Sequence, residues 1–215
     1  MSGIERMRQK GFTIVELLIV IVVVGILATI SVVAYNGSQQ RARNAARLAA
    51  VTNAIETVEV ALTKYAPSQI RATLYESGSW YRACIGTGYK QVGSTPGVCG
   101  YYTGSGPYVW EVATFTNLLK ETAGSLDMSG YPLAKSTDND HVAGPYLTSA
   151  WVDSKNMLAV EYSLEGEGQK CDKSPLIYRV GSSSTMTPPA GDAANYTKSA
   201  YGVTECVVAV VTDYY

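Results

Sequence analysis

The segment from Phe12 to Tyr35, FTIVELLIVIVVVGILATISVVAY, runs for 24 residues with one charge, Glu16. A helix of about 20 apolar residues, rising 1.5 Å per residue, crosses a bilayer core about 30 Å thick. Val and Ile dominate the run and suit buried strands, but strands are usually about 5–6 residues long. In lipid a helix satisfies its own backbone groups, so the weak helix propensity of Val does not decide the matter. The segment reads as a transmembrane helix over 12–35, and the rest of the fold must be built onto it.

A short leader precedes the run, with Arg6, Arg8 and Lys10 against Glu5. Basic residues flank the cytoplasmic end of a span, so the leader places the N-terminus in the cytoplasm. Arg41, Arg43 and Arg47 lie just beyond the other end and oppose that orientation. A secretory signal would carry a small-residue cleavage site after the apolar stretch. None follows Tyr35; the chain continues through Asn36 and Gly37 into another helix-forming segment.

Composition narrows the function classes. Charged residues make up 16 % and apolar residues 47 %, with a net charge of -1. That excludes a disordered chain, which combines low hydrophobicity with high charge. It argues against nucleic-acid binding through bulk charge, which needs a strongly basic domain. One His and no Cys-x-x-Cys leave little material for zinc. Sixteen Tyr against two Phe point to aromatic surface that stays partly wet.

The stretch Lys10-Gly11-Phe12-Thr13-Ile14-Val15-Glu16-Leu17-Leu18-Ile19-Val20 resembles the class III signal of type IV prepilins. The shared pattern is a basic leader ending in Gly, then Phe, then Glu at the fifth residue of an apolar helix. It covers residues 6 to about 36; beyond them the likeness is one of architecture, and Val33-Ala34-Tyr35-Asn36-Gly37 also resembles pilins of Gram-positive and related lineages. The resemblance implies that a prepilin peptidase cuts between Gly11 and Phe12, removing the leader 1–11 and methylating the new amine of Phe12. It implies the α+β type IV pilin fold, a long N-terminal helix (transmembrane, then amphipathic) packed on an antiparallel sheet head. The implied partners are further copies of the chain, other pilins, a pilus assembly platform, and the cytoplasmic membrane before assembly into an extracellular filament. No cofactor, metal or catalytic residue is implied. Many pilins carry a proline in the span where the helix melts on assembly. This chain has none between Phe12 and Ala66, so unwinding near Gly25 is not expected.

Glu16 can also be read from its chemistry. A carboxylate at the bilayer centre costs about 2.5–3.5 kcal/mol on insertion scales, so such a residue marks a functional site whose partner should be named. After cleavage the nearest cation is the amine of Phe12, one turn away in the same chain or on a neighbouring copy. An intermolecular pair would neutralise both groups and set axial register, which resembles the role of the family's glutamate. Thr13 is a candidate hydrogen-bond donor. Gly25, Thr29 and Ser31 interrupt the span with small residues, which let helices approach closely in lipid.

From Ser38 to Tyr65 the chain should continue as an amphipathic stalk, within a stalk region 36–66. Leu48, Val51, Ile55, Val58, Leu62 and Tyr65 recur at steps of three and four, with Ala45 extending the stripe. Arg43, Arg47, Thr57 and Lys64 fall on the opposite side, read as a solvated or intersubunit face. Asn36-Gly37 is the place for a bend, and Ala66-Pro67 ends the helix.

Residues 67–215 form the expected globular head, and from Ala66 on the chain carries 10 basic and 14 acidic residues. Trp110 to Ala123 reads as a helix with Val112, Phe115, Leu118 and Leu119 on its apolar face and Gly124 just past its end. Tyr146–Val152, Met157–Leu164, Leu176–Val180 and Cys206–Thr212 read as strands, with a hairpin turn over 153–156 and loops over 165–168 and 181–195. Four cysteines, Cys84, Cys99, Cys171 and Cys206, fit two disulfides in an oxidising compartment, which supports an exported head. Three connectivities are open. We expect Cys84–Cys99, closing a Gly-rich loop, and Cys171–Cys206, tying the last strand to the sheet; the latter resembles the bridge bounding the C-terminal region of many pilins.

Other constellations carry less. Asp138-Asn139-Asp140-His141 lacks the full calcium-loop pattern. His141 has no nucleophile at a recognisable spacing, and Glu165 with Glu167 forms no sequence motif for glycoside chemistry. Gly86-Thr87-Gly88-Tyr89-Lys90 lacks phosphate-loop spacing. Asn36 and Asn195 head chance sequons. Trp80, Tyr101, Tyr102, Tyr108 and Trp110 form either an adhesive patch or loop packing. The expected function is that of a non-enzymatic structural subunit of a type IV pilus, serving adhesion, twitching motility or DNA uptake. The alternatives are a minor pilin or pseudopilin of a secretion or competence filament, or a tip adhesin with a ligand-binding head.

Overall fold

The computed structural model describes residues 12–75, 81–90, 96–102, 106–135, 141–152, 155–166, 168–171, 178–179, 186–187, 196–198 and 203–212. The first element, α1, is one helix over Ile14–Lys64. Helical hydrogen bonding runs through Asn36-Gly37 without a break. Two compact units divide within this helix, Met1–Arg41 and Ala42–Tyr215.

In the first unit the described apolar side chains of the span lie open, from Val23 at 48 % exposed to Ile14 at 85 %. Its hydroxyls turn back onto their own helix. Thr29 Oγ1 donates to the Gly25 carbonyl at 2.8 Å, and Ser31 Oγ to that of Leu27 at 2.8 Å. This i−4 bonding satisfies the polar atoms without a partner from outside the helix. The helix is long and apolar enough to cross a membrane.

The second unit is built on the remaining turns of α1. Val51, Ala54, Ile55, Val58 and Ala61 are buried, while Leu48, Leu62 and Tyr65 pack at the margin of the same core. Ala45, expected to extend the stripe, is exposed. The helix ends at Lys64, but helical structure resumes at once as α2, Pro67–Thr73, with proline at its first turn. Proline disfavours helix in the residue before it yet suits a first helical position, whose N–H has no intrahelical partner anyway. So Pro67 both closes α1 and opens α2, which buries Ile70.

Eleven strands are described, β1 Arg82–Cys84, β2 Val98–Tyr102, β3 Gly106–Trp110, β4 Ala134–Lys135, β5 His141–Ala143, β6 Tyr146–Val152, β7 Lys155–Glu165, β8 Tyr178–Arg179, β9 Met186–Thr187, β10 Tyr196–Lys198 and β11 Val203–Thr212, together with α3, Ala113–Thr122. The main sheet has the order β1-β6-β7-β11-β10, a second sheet has the order β3-β2-β5-β4, and β8 pairs with β9. All described strand pairings are antiparallel. This is an α+β architecture consistent with the type IV pilin fold. β6 and β7 close on Val152↔Lys155. β7 lies against β11 from Glu165↔Val203 to Met157↔Thr212, with a bulge between Ala209 and Val211.

Alternation along β7 decides which side of the sheet meets the helix. Leu158, Val160, Tyr162 and Leu164 enter the core that also holds Val51, Val58, Ile70 and Phe115. Met157 and Ala159 point to the other face, with Val207. Period-two side chains on a pleated strand produce this division. Val112, Phe115, Leu118 and Leu119 of the α3 region join the helix-side core. Gly124 follows α3 with φ +91°, a left-handed conformation that glycine adopts freely. The helix is shorter than the 110–123 expected, because Trp110 belongs to β3.

Candidate functional site

The span begins with a reciprocal cap. Thr13 donates from its backbone N–H to Glu16 Oε2 at 2.8 Å and from Oγ1 to the same oxygen at 2.7 Å. The Glu16 N–H in turn donates to Thr13 Oγ1 at 3.2 Å. This is a capping box: residue Ncap and residue N3 satisfy each other's free donors at a helix start. The Thr-x-x-Glu spacing was readable in the sequence, where Thr13 stood only as a possible donor. Phe12, 84 % exposed, lies directly before the box. Gly11 and the rest of the leader lie outside the described residues. The structure thus brings Thr13 and Glu16 together at the open end of an exposed apolar rod.

A second polar constellation joins α1 to the main sheet. Arg47, expected on a solvated or intersubunit face, is 1 % exposed. Its Nε donates to the Pro132 carbonyl at 2.5 Å, Nη1 to Asn44 Oδ1 at 2.6 Å, and Nη2 to the Leu133 carbonyl at 3.2 Å and Glu165 Oε2 at 3.1 Å. Arg43 grips the same carboxylate with both arms of its fork, at 2.8 and 2.5 Å. The burial of Arg47 has a physical cause. A guanidinium can be buried when its planar donors are met by carbonyls and a carboxylate, and here four acceptors surround it. Sequence periodicity cannot see a partner 118 residues away.

Asn44 completes the cluster. Its side-chain amide accepts from the Glu165 N–H at 2.9 Å and donates to the Glu165 carbonyl at 2.9 Å, the pair of bonds a neighbouring strand would make. The two arginines set the electrostatics. Hydrogen bonding from Arg43, supported by Arg47, holds the Glu165 carboxyl below its ordinary value, against the opposing effect of burial. Burial lowers the Arg47 value, partly offset by Glu165. At the edge of this cluster burial pushes the Tyr131 phenol up, so it stays neutral.

Two disulfides staple the head. Cys84 joins Cys99 with Cα atoms 5.8 Å apart, and Cys171 joins Cys206 with Cα atoms 5.9 Å apart. The first closes a loop held from outside by Glu111, whose Oε1 accepts from the Gly88 and Tyr89 N–H groups. Gly86 and Gly88 in that loop have φ +89° and +85°. It is a stapled turn, with Gly86 packed against Leu126 and Met128. The bridge at Cys171 ties the segment after β7 to β11.

The remaining sequence candidates divide. Trp110 packs against the core. The side chains of Tyr101, Tyr102, Tyr108 and His141, and all of Trp80, Asp138, Asn139, Asp140, Glu167 and Asn195, lie outside the described residues. Among the described residues, no group of three His, Cys, Asp or Glu is placed to hold a metal.

No solved structure matches the chain. Residues 6–32 match the family described as the prokaryotic N-terminal methylation motif. The chain therefore carries the class III signal of type IV prepilins, the motif of type IV pilin-like and pseudopilin-type proteins.

Proposed function

We propose that this protein is a structural subunit of a type IV pilus, stored in the cytoplasmic membrane and polymerised through its N-terminal helix into an extracellular filament. The observation that carries the reading is the carboxylate of Glu16 at the start of a bare apolar helix, inside a methylation motif. In the stored subunit, Thr13 satisfies that carboxylate from within the chain. Cleavage between Gly11 and Phe12 creates an amine one turn away. As the subunit leaves lipid, helix–lipid contacts give way to helix–helix packing, and Glu16 meets the Phe12 amine of a neighbouring copy. A charge pair in a medium of low dielectric strongly favours one axial offset over others. The role is non-enzymatic, and the partners are other copies, other pilins, the prepilin peptidase and an assembly platform.

Glu16→Val tests this. The variant should insert into membranes at wild-type level, since it only increases apolarity, and yield few or irregular filaments when expressed as the sole copy. Sheared filaments counted by electron microscopy give the readout. Wild-type filament yield and register from Glu16→Val would refute the assigned role. Stoichiometry in purified filaments separates an abundant subunit from a minor pilin or pseudopilin.

A further inference from the structure

The two cysteines of the second bridge stand at matched distances from a hydrogen-bonded frame. Thr204 of β11 is fully buried. Its Oγ1 donates to the Gly166 carbonyl at 2.7 Å and accepts from the Gln169 N–H at 2.9 Å. Cys171 lies two residues beyond Gln169, and Cys206 lies two residues beyond Thr204. On β11 a step of two keeps a side chain on the same face, so Cys206 faces the side on which Thr204 holds the segment after β7.

The frame is anchored at its other end on α1. Asn44, 6 % exposed, grips the main chain of Glu165 through both amide atoms and reaches Gln169 Oε1 at 3.3 Å. Residues 165, 166 and 169 are thereby fixed against the helix and β11 by bonds that need no covalent bridge. We propose that Asn44 and Thr204 form a template that seats Gln169 on β11 before oxidation and so selects the Cys171–Cys206 pairing over the two alternatives. The inference does not rest on the filament reading.

The chemistry requires an external disulfide, for which a small-molecule disulfide such as oxidised glutathione suffices. The thiolate of one cysteine attacks a sulfur of that oxidant, forming a mixed disulfide and releasing one small thiol. The thiolate of the other cysteine then displaces the second small thiol. Two protein thiols are oxidised to one bridge, and one small disulfide is reduced to two thiols. The template acts on the second step, where the partner sulfur must already be within reach.

The test is oxidative refolding of the reduced full chain in detergent micelles with a glutathione redox buffer, quenched by alkylation at intervals and mapped by mass spectrometry. Cys84–Cys99, outside the frame, is the internal reference. In Thr204→Val, which loses two hydrogen bonds, and in Asn44→Ala, which loses four, formation of Cys171–Cys206 should fall at least about tenfold relative to Cys84–Cys99. Thr204→Ser, which keeps the hydroxyl, should restore it. Wild-type formation of Cys171–Cys206 in both variants would overturn the proposal. So would equal slowing of both bridges, which would reduce the frame to a general contribution to folding.

Discussion

Replacing Glu165 by Gln removes the carboxylate that Arg43 and Arg47 share while keeping the main-chain bonds to Asn44. Arg47 is 1 % exposed and Glu165 29 %. Breaking a fully buried pair by removing one partner costs about 3–5 kcal/mol, because a charge is left uncompensated. Partial solvent access to Glu165 and the three other acceptors around Arg47 reduce this to about 2–3 kcal/mol. Arg43, with its side chain 41 % exposed, is screened by solvent and adds little to this. In a unit of this size 1 kcal/mol shifts Tm by about 2–4 °C, so the expected loss is about 4–12 °C. Thermal unfolding of the full chain in detergent, followed by tryptophan fluorescence, gives the measurement. The pH dependence supplies a second readout. Because the folded Glu165 value is lowered, its stabilisation is fully present above the ordinary carboxyl value of 4.5 and is lost as pH falls through the folded value. The gap between wild type and Glu165→Gln should therefore be full at pH 7 and close on acidification below 4.5. A shift under about 1 °C at pH 7, or a gap that widens in acid, would refute the argument that Glu165 balances a buried cation.

Arg47→Lys should also destabilise the head in the same assay, since an ammonium cannot meet acceptors laid out for a planar fork; stability equal to wild type would show that charge alone suffices. Mass spectrometry of filament-derived protein should find Phe12 as an N-methylated first residue, and an intact Met1 in assembled material would contradict the processing. Gly86→Ala would place a Cβ 2.7 Å from the Leu126 carbonyl oxygen and from Met128 Cγ at φ +89°. That substitution should cost at least about 2 kcal/mol in urea denaturation, against a near-neutral Gly130→Ala, where a Cβ meets nothing within 4 Å.

The long helix was legible because two different patterns each announce it. The apolar run is long enough to cross a membrane as a helix, and Val51, Ile55 and Val58 repeat at helical steps. β6 was legible to the residue, since its alternation is bounded by Pro145 and Asp153. β1 to β5 were not, because they run only two to five residues, too short to show alternation, and β1 pairs with β6 and β2 with β5 across long stretches of chain. Pro67 marked the end of α1, as expected, but its second meaning as the opening of α2 went unread. The Arg47 cluster escaped for a deeper reason: each member is an ordinary polar residue locally, and only the tertiary fold brings Asn44, Arg47, Pro132 and Glu165 within bonding distance. At the N-terminus the reverse holds. Thr13 and Glu16 meet within a single turn, so the Thr-x-x-Glu spacing held the capping box, although only a donor role for Thr13 was read from it.

The amide of Asn44 standing in for a strand also limits where α1 can rest. Sliding the helix by one turn, about 5.4 Å, would present Gln40 or Leu48 to the end of β7, and Arg43 or Val51 to the carbonyls of Pro132 and Leu133. A leucine offers nothing to an open main-chain N–H and C=O, and a valine nothing to those carbonyls. Intermediate positions leave both ends unmatched. The polar collar therefore bars a slide that brings Leu48 and Val51 into place, whereas one the other way would offer Gln40 and Arg43, again an amide and a guanidinium, so the stop on the helix works like a ratchet in one direction.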